Sequence, residues 1–477
     1  MTRAPGPSGT ELLRTILTRR RDPVRLQETL RARYGQCVRV RVGDTSHFLL
    51  SGVPYVKHVL VDNHRNYTKG PAYELMASIL GRGLITSEGE HWRRHRRMVQ
   101  PSLQSDRMRG FVAVMVDAAA EQARSLERAA DDGVTVDVFA RMMDLALRIV
   151  SRTLLGSDLG GREAEVHHAV TDVLDHIERL SVSGTRFLEL LPGGSRLRGL
   201  RKRLATLPTR HHRRFRAAID ALDAVIYDVI GRRRRTAPTA GRGHDLVSLL
   251  SAARESEQDL LSDEEIRDEV MTMFLAGHET TATALTWCLH LLAGHPQYGD
   301  ALAREARAVL GDARPRADDL ARLVLAERVF LESMRLYPPV WRFSRFAVGS
   351  DRLEEYFVPA GSVVVVSPYL MHRDPALWPD PTRFDPDRFA PEASQSRSRL
   401  SFIPFGAGQR MCLGAAFATV EAQIILSMLG RAVTFERPSG HVVELEPRIT
   451  LRPRGGMPLV VRRRQPVTIA AAAGASP

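Results

Sequence analysis

Apolar positions along the chain recur mainly at helical spacing, with short stretches of alternation at its two ends. Val38, Val40 and Val42 alternate with Arg39 and Arg41, which predicts a half-buried strand, a turn at Gly43–Asp44 and a returning strand. A helix is predicted just before it, over Val24–Tyr34. From about residue 105 to 335 the spacing is mostly helical, as in FVAVMVDAAAEQARSLERAA and VDVFARMMDLALRIVSRTLLG. LLPGGSRLRG predicts a break there, and GRRRRTAPTAGRGHD an exposed linker. The most distinctive helix starts at Ser262, which forms a capping box with Glu265, and stops at Gly294–His295–Pro296. It should span roughly 45–50 Å, and its apolar faces require burial. Polar residues in its middle, His278 to Thr281 and Thr283, argue against a membrane span.

Short strands are expected in VGSDRLEEYFVPAGSVVVVSPYL, an irregular meander from about Trp378 to Arg399, and a last long helix in AAFATVEAQIILSML. The fold class is therefore mainly α with a small β region built from both ends of the chain. No repeat or clear internal boundary divides it. We expect an N-terminal arm at 1–20, a single domain at 21–465 and a low-complexity tail at 466–477.

At 477 residues and 44% hydrophobic content, the chain can bury a sizeable core. Its three cysteines, Cys37, Cys288 and Cys412, form no disulfide framework and suit a reducing compartment. The N-terminus lacks the apolar run of a signal peptide or membrane anchor, so a cytoplasmic location is expected. Lys+Arg outnumber Asp+Glu by 68 to 55, and only Lys57, Lys69 and Lys202 are lysines. The basic runs, Arg19–Arg21, Arg93–Arg97, Arg201–Arg203, Arg232–Arg235 and Arg462–Arg464, are scattered and carry no interleaved aromatics. That pattern favours an acidic protein partner over nucleic acid.

Candidate chemistry sits in four motifs. FGAGQRMCLG places Cys412 behind glycines that permit unusual backbone angles and close approach of a flat cofactor. The helix that follows favours an anion, so the thiol should ionise readily. Met411 stands where a dinucleotide fingerprint needs a glycine, and no further cysteine or histidine nearby completes a zinc site. A core cysteine, a nucleophile and a metal ligand remain open. AGHETT begins like a zincin motif, but Ala282 replaces its second histidine. It leaves an acid beside an alcohol, Glu279 and Thr280, on a helix that Thr280 and Gly277 could open at Ala276 into a polar notch. A buried glutamate paired with an arginine is the alternative. Glu332 and Arg335 share a helix face and can pair, commonly as a surface ion pair. Trp92 and Arg96, one turn apart, could both grip carboxylates or lie on a solvated basic face.

In this order, over about residues 20–465, these motifs resemble the cytochrome P450 family. Phe405, Gly408, Arg410, Cys412 and Gly414 match its cysteine loop. AGHETT matches its central helix, Glu332–Arg335 its E-x-x-R, and Trp92–Arg96 its W-x-x-x-R. The resemblance implies haem b with Cys412 as axial thiolate, favouring O–O cleavage. It implies propionate contacts from Arg410, Trp92, Arg96 and Arg345, with Phe405 tuning the thiolate. Glu332, Arg335 and Arg388 (in FDPDRF) would be structural, fixing the meander and the cysteine loop. Glu279 and Thr280 would deliver protons to the oxygen being activated.

The same resemblance implies a soluble bacterial-type monooxygenase, a monomer with no anchor and no nucleic-acid partner. Its electrons would come ultimately from NAD(P)H through a ferredoxin or flavodoxin-like protein with its reductase, docking near Arg93–Arg97. Pocket walls would be Tyr73, Leu75, Leu84, Ala276, Val340, Trp341 and Phe343, around a lipophilic terpenoid, fatty-acyl or polyketide-like substrate. The alternatives are a peroxide-driven peroxygenase or isomerase of the same fold, and a basic haem- or nucleic-acid-binding protein without turnover.

Overall fold

A computed structural model of the protein describes residues 2–464 apart from 13, 15–21, 71–72, 104, 157–160, 183–208, 236–244, 253–259 and 396. The predicted break at LLPGGSRLRG, most of the linker, the runs Arg19–Arg21 and Arg201–Arg203, and the C-terminal tail lie outside the described residues.

Helix α1 (Pro23–Tyr34) starts where the Asp22 carboxylate accepts the Arg25 amide, and it leads into β1 (Cys37–Val42) and β2 (Thr45–Leu50). Short strand β3 (Tyr67–Thr68) precedes α2 (Gly89–Val99), α3 (Ser105–Asp131) and α4 (Val138–Leu155). The long helix α5 (Asp263–Gly294) is followed by α6 (Pro296–Leu310) and α7 (Val324–Leu336). Strands β4 (Phe343–Ala347) and β5 (Val363–Val366), helix α8 (Ala415–Ala432) and the hairpin β6 (Leu445–Pro447) and β7 (Leu451–Pro453) complete the parts that position the site. The five-stranded sheet runs β1-β2-β5-β4-β3 and joins the first seventy residues to the last third of the chain. Its β2–β5 pairing is parallel and the others are antiparallel, with Cys37 opposite Leu50.

The predicted capping box is present. The Glu265 amide donates to Ser262 Oγ at 3.1 Å, and the Ser262 amide donates to Glu265 Oε2 at 2.9 Å. Helix α5 packs against α3's partner α4, and also touches α7 and α8. Trp287 anchors its C-terminal half, stacked on Tyr337 with ring centroids 4.1 Å apart and donating to the Leu451 carbonyl at 2.7 Å. Between Ile266 and Leu292 every residue is buried except Met273, Ala276, Gly277 and Thr280. Those positions are i, i+3, i+4 and i+7, one face of the helix. Full burial of a large apolar side chain stabilises by about 1.5–3 kcal/mol. A stripe left open in the middle of the core forgoes part of that and marks an interior face kept for another purpose.

Candidate active site

Opposing hydrogen bonds shape the cysteine loop. The Cys412 amide donates to the Phe405 carbonyl at 2.9 Å, and the Gly406 amide to the Ile403 carbonyl at 3.0 Å. Gly406 and Gly408 both have positive φ, 74° and 70°. A Cβ on Gly408 would lie 2.0 Å from the Leu60 carbonyl oxygen, so this glycine admits the Leu60 backbone. A Cβ on Gly406 would meet nothing within 4 Å, so open space in the loop lies at Gly406 rather than Gly408.

Cys412 is accessible to a water-sized probe yet surrounded by protein, so its sulfur faces an interior space. Burial pushes its thiol up, against the pull of the Gly414 amide and the Arg96 charge. Ready ionisation at the helix N-terminus is therefore not what the fold produces; desolvation outweighs the helix. Cys37 and Cys288 are buried in the core and pushed up to about 12.

Helix α2 and the loop grip each other. The Arg410 guanidinium lies 3.9 Å from the centroid of the buried Trp92 ring, and Arg96 Nη1 donates to the Met411 carbonyl at 3.0 Å. Arg410 also pairs with Glu88, whose other oxygen accepts the Lys69 amide at 2.8 Å. Lys69 Nζ donates to the Ile85 carbonyl at 2.5 Å and sits 4.9 Å from the Tyr73 ring. Arg345, buried on β4, approaches Tyr73 and influences both Lys69 and Arg410. Burial, then the neighbouring Arg345 and Arg410, hold Lys69 down at about 7. Burial is also the chief reason that Arg410 is lowered to about 10. The fold thus gathers Arg345, Arg410 and Lys69 around Glu88, with Arg96 alongside Arg410. Lys69 was invisible in the sequence; its only signal was the scarcity of lysine in this chain.

On the α5 stripe the Thr280 hydroxyl donates to the Ala276 carbonyl. The helix nevertheless stays α-helical through 263–294, so the predicted opening is absent: the hydroxyl shares the carbonyl without displacing the amide. Glu279 is buried behind the stripe and accepts from the Thr450 hydroxyl, with Arg452 Nη1 3.9 Å away. Acid and alcohol are neighbours in sequence but are directed to different surroundings. Of the two alternatives, the buried glutamate beside an arginine is present and the opened polar notch is not.

Glu332 and Arg335 are fully buried and doubly bonded, both contacts at 2.7 Å. Arg335 also donates to the carbonyls of His372, Pro381 and Arg383 at 2.7–3.0 Å. Arg388 Nε stands 3.6 Å from Glu332 Oε1. The surface ion pair that E-x-x-R commonly makes is replaced by a core knot binding the meander.

The cytochrome P450 family model matches residues 4–459. The chain belongs to the cytochrome P450 family. It is 36% identical to cyclooctatin synthase from Streptomyces melanosporofaciens over 93% of this chain and 92% of that one. Pentalenene oxygenase from Streptomyces avermitilis is 33% identical, with 86% of each chain covered. A crystal structure of a variant cytochrome P450DA heme domain superposes with a TM-score of 0.82 at 25% identity, covering 98% of this chain and 99% of that one. The protein is thus an oxidoreductase of the P450 monooxygenase type, and the family fold agrees with the α-rich class read from the sequence.

The donor set of this P450 fits a haem. A cysteine sulfur faces interior space, a cluster of cations exceeds its one interleaved carboxylate, and an open stripe crosses the central helix. Several predicted pocket residues lie elsewhere. Trp341 is buried against α1 and β1 and donates to the Arg448 carbonyl at 3.0 Å, because the β6–β7 hairpin covers it. Arg342, next to it in sequence, is exposed and stacks on Trp341 at 4.5 Å. Tyr73 belongs with the cations. Leu84 is half-buried, and its backbone bonds Glu269 and Arg410 at 3.2 and 3.5 Å. Val340 and Phe343 are half-buried, Ala276 lies on the stripe, and the Leu75 side chain is outside those described. Within Arg93–Arg97 only Arg93 and Arg97 are exposed, because helical spacing turns Arg94 toward Glu265 and Arg96 toward the cysteine loop. Among the described residues no helix is long and apolar enough to cross a membrane.

Proposed function

We propose that this P450 hydroxylates or otherwise oxidises a lipophilic terpenoid, using electrons that reach it from NAD(P)H through a separate ferredoxin or flavodoxin-like carrier and its reductase. The open stripe of Met273, Ala276, Gly277 and Thr280 carries the reading: an apolar surface with a single hydroxyl inside an otherwise buried helix. The names of cyclooctatin synthase, pentalenene oxygenase and a cyclooctat-9-en-7-ol 5-monooxygenase 31% identical to this chain favour a terpenoid among lipophilic classes.

Haem b, when bound, supplies dioxygen activation and oxidation of a substrate C–H bond. Cys412 would hold the haem iron through its sulfur, giving up the thiol proton that burial otherwise retains. Arg96, Arg345, Arg410 and Lys69 would hold the propionates, and Trp92 backs Arg410. Phe405 and Gly408 shape the loop, one by accepting the Cys412 amide and the other by seating on Leu60. Glu332, Arg335 and Arg388 keep the meander rigid. Thr280 holds a proton at Oγ1 on the substrate face, and Glu279 is the acid behind it. Arg93 and Arg97 present exposed charge to an acidic carrier.

The reduced protein under carbon monoxide should show the strongly red-shifted Soret band of thiolate ligation. That band should vanish in Cys412→His and persist in Cys37→Ser and Cys288→Ser; persistence in Cys412→His sinks the assignment. The peroxide-driven alternative is separated by Thr280→Ala. Product per oxygen consumed should fall while peroxide-supported turnover survives, and unchanged oxygen coupling would remove Thr280 from the proton path.

A further inference from the structure

His372 follows the short helix Pro368–Met371 and is wholly buried. Its backbone and its ring face different partners. The carbonyl accepts Arg335 Nη1 at 2.8 Å, which ties it to the Glu332–Arg335 knot. Nε2 receives the Ile403 amide at 2.9 Å. An amide donating to Nε2 requires a lone pair there, so the ring is the neutral tautomer with hydrogen on Nδ1. Burial and the charges of Arg335 and Arg373 lower His372 to about 3, which keeps that lone pair available throughout the physiological range. Nδ1 is enclosed, with the Met334 and Arg335 carbonyls beside it but outside good hydrogen-bond geometry.

Ile403 is where the cysteine loop begins. Its carbonyl receives the Gly406 amide, and the Phe405 carbonyl receives that of Cys412. Arg335 donates to the Pro381 and Arg383 carbonyls in the meander and to the His372 carbonyl before it, and the His372 imidazole carries the connection on to the loop. The ring also meets Phe402 at 5.1 Å between centroids, so it is packed from the side as well as bonded at its tip.

We propose that His372 is a positioning residue for Cys412: its Nε2 holds the start of the 403–412 loop in register with the Glu332–Arg335 knot. This rests on the reading of Cys412 as the haem ligand. The contribution is geometric, a fixed acceptor for one amide, and a residue with an acceptor at the same reach should replace it.

The experiment compares the haem-loaded wild type with His372→Leu and His372→Gln. The glutamine Oε1 reaches about as far as Nε2, whereas leucine fills the space without an acceptor. In His372→Leu the fraction of reduced carbon-monoxide complex carrying the red-shifted thiolate band should fall several-fold; His372→Gln should restore most of it. A leucine variant with the wild-type fraction, or a glutamine variant as impaired as leucine, overturns the proposal. Amide exchange of wild-type Ile403 provides a test independent of either variant's folding. Its protection should match that of the core of α7, and exchange at the rate of an open loop also overturns the proposal. Absence of the thiolate band from the wild type would instead defeat the Cys412 assignment, leaving Ile403 exchange to decide on His372.

Discussion

Lys69 has the most informative electrostatics in this P450. Its pKa is lowered to about 7 by burial and by Arg345 and Arg410, while an unfolded lysine titrates near 10.4. Above the unfolded value both states are neutral. As the pH falls toward 7 the unfolded chain binds a proton that the folded one refuses, so stability is lost over that window and is level below it. The haem-free protein should therefore gain thermal stability from about pH 7 to 10 in part through Lys69. Lys69→Met should flatten that slope. Haem uptake, which brings two carboxylates to the cluster, should draw a proton from solution near pH 8. Calorimetry in buffers of different ionisation enthalpy reads this directly, and equal proton uptake by Lys69→Met would remove Lys69 from the propionate site. Cys412 follows the opposite logic: local sequence suggested an easily ionised thiol, and burial reverses the direction.

The cysteine loop and the central helix make separable claims. Gly406 and Gly408 share a left-handed backbone, but a Cβ on Gly406 meets nothing within 4 Å, whereas one on Gly408 collides with the Leu60 carbonyl. Gly406→Ala should cost about 1–2 kcal/mol, the conformational penalty alone. Gly408→Ala should cost more and release haem, and equal melting temperatures for the two would show that the Leu60 contact yields freely. At the start of α5, Ser262→Ala should cost about 1 kcal/mol, the usual loss of an N-cap. Glu265→Ala should cost more, because the same carboxylate also receives Arg94 at 2.7 Å and His95 at 3.1 Å. Chemical denaturation resolves both, and equal losses would reduce Glu265 to its capping role.

Across the whole molecule, the Glu332–Arg335 knot joins α7 to carbonyls far along the chain. Removing one partner of a buried pair costs about 3–5 kcal/mol, because the other charge is left unpaired. Arg335→Leu should therefore fold poorly and bind little haem. Arg335→Lys, which keeps charge but not the planar fork, should fall in between. Haem content and unfolding midpoint together test this ordering, and a fully haem-loaded Arg335→Leu would contradict it.

Local pattern was enough to reveal the α-rich class, the capped central helix and the first hairpin, because periodicity and short spacing act within a few turns of chain; the motifs around Cys412, Thr280 and Glu332–Arg335 took their expected roles from the family resemblance. The cluster of Lys69, Glu88, Arg345 and Arg410 draws on residues up to hundreds of positions apart, and no local pattern encodes its assembly. The same holds for Glu279 turning to Thr450, Trp341 packing under the hairpin, and His372 meeting Ile403. A side chain's charge state and partner are set by what the rest of the fold brings against it, through desolvation and long-range hydrogen bonds, and those exist only once the core has closed.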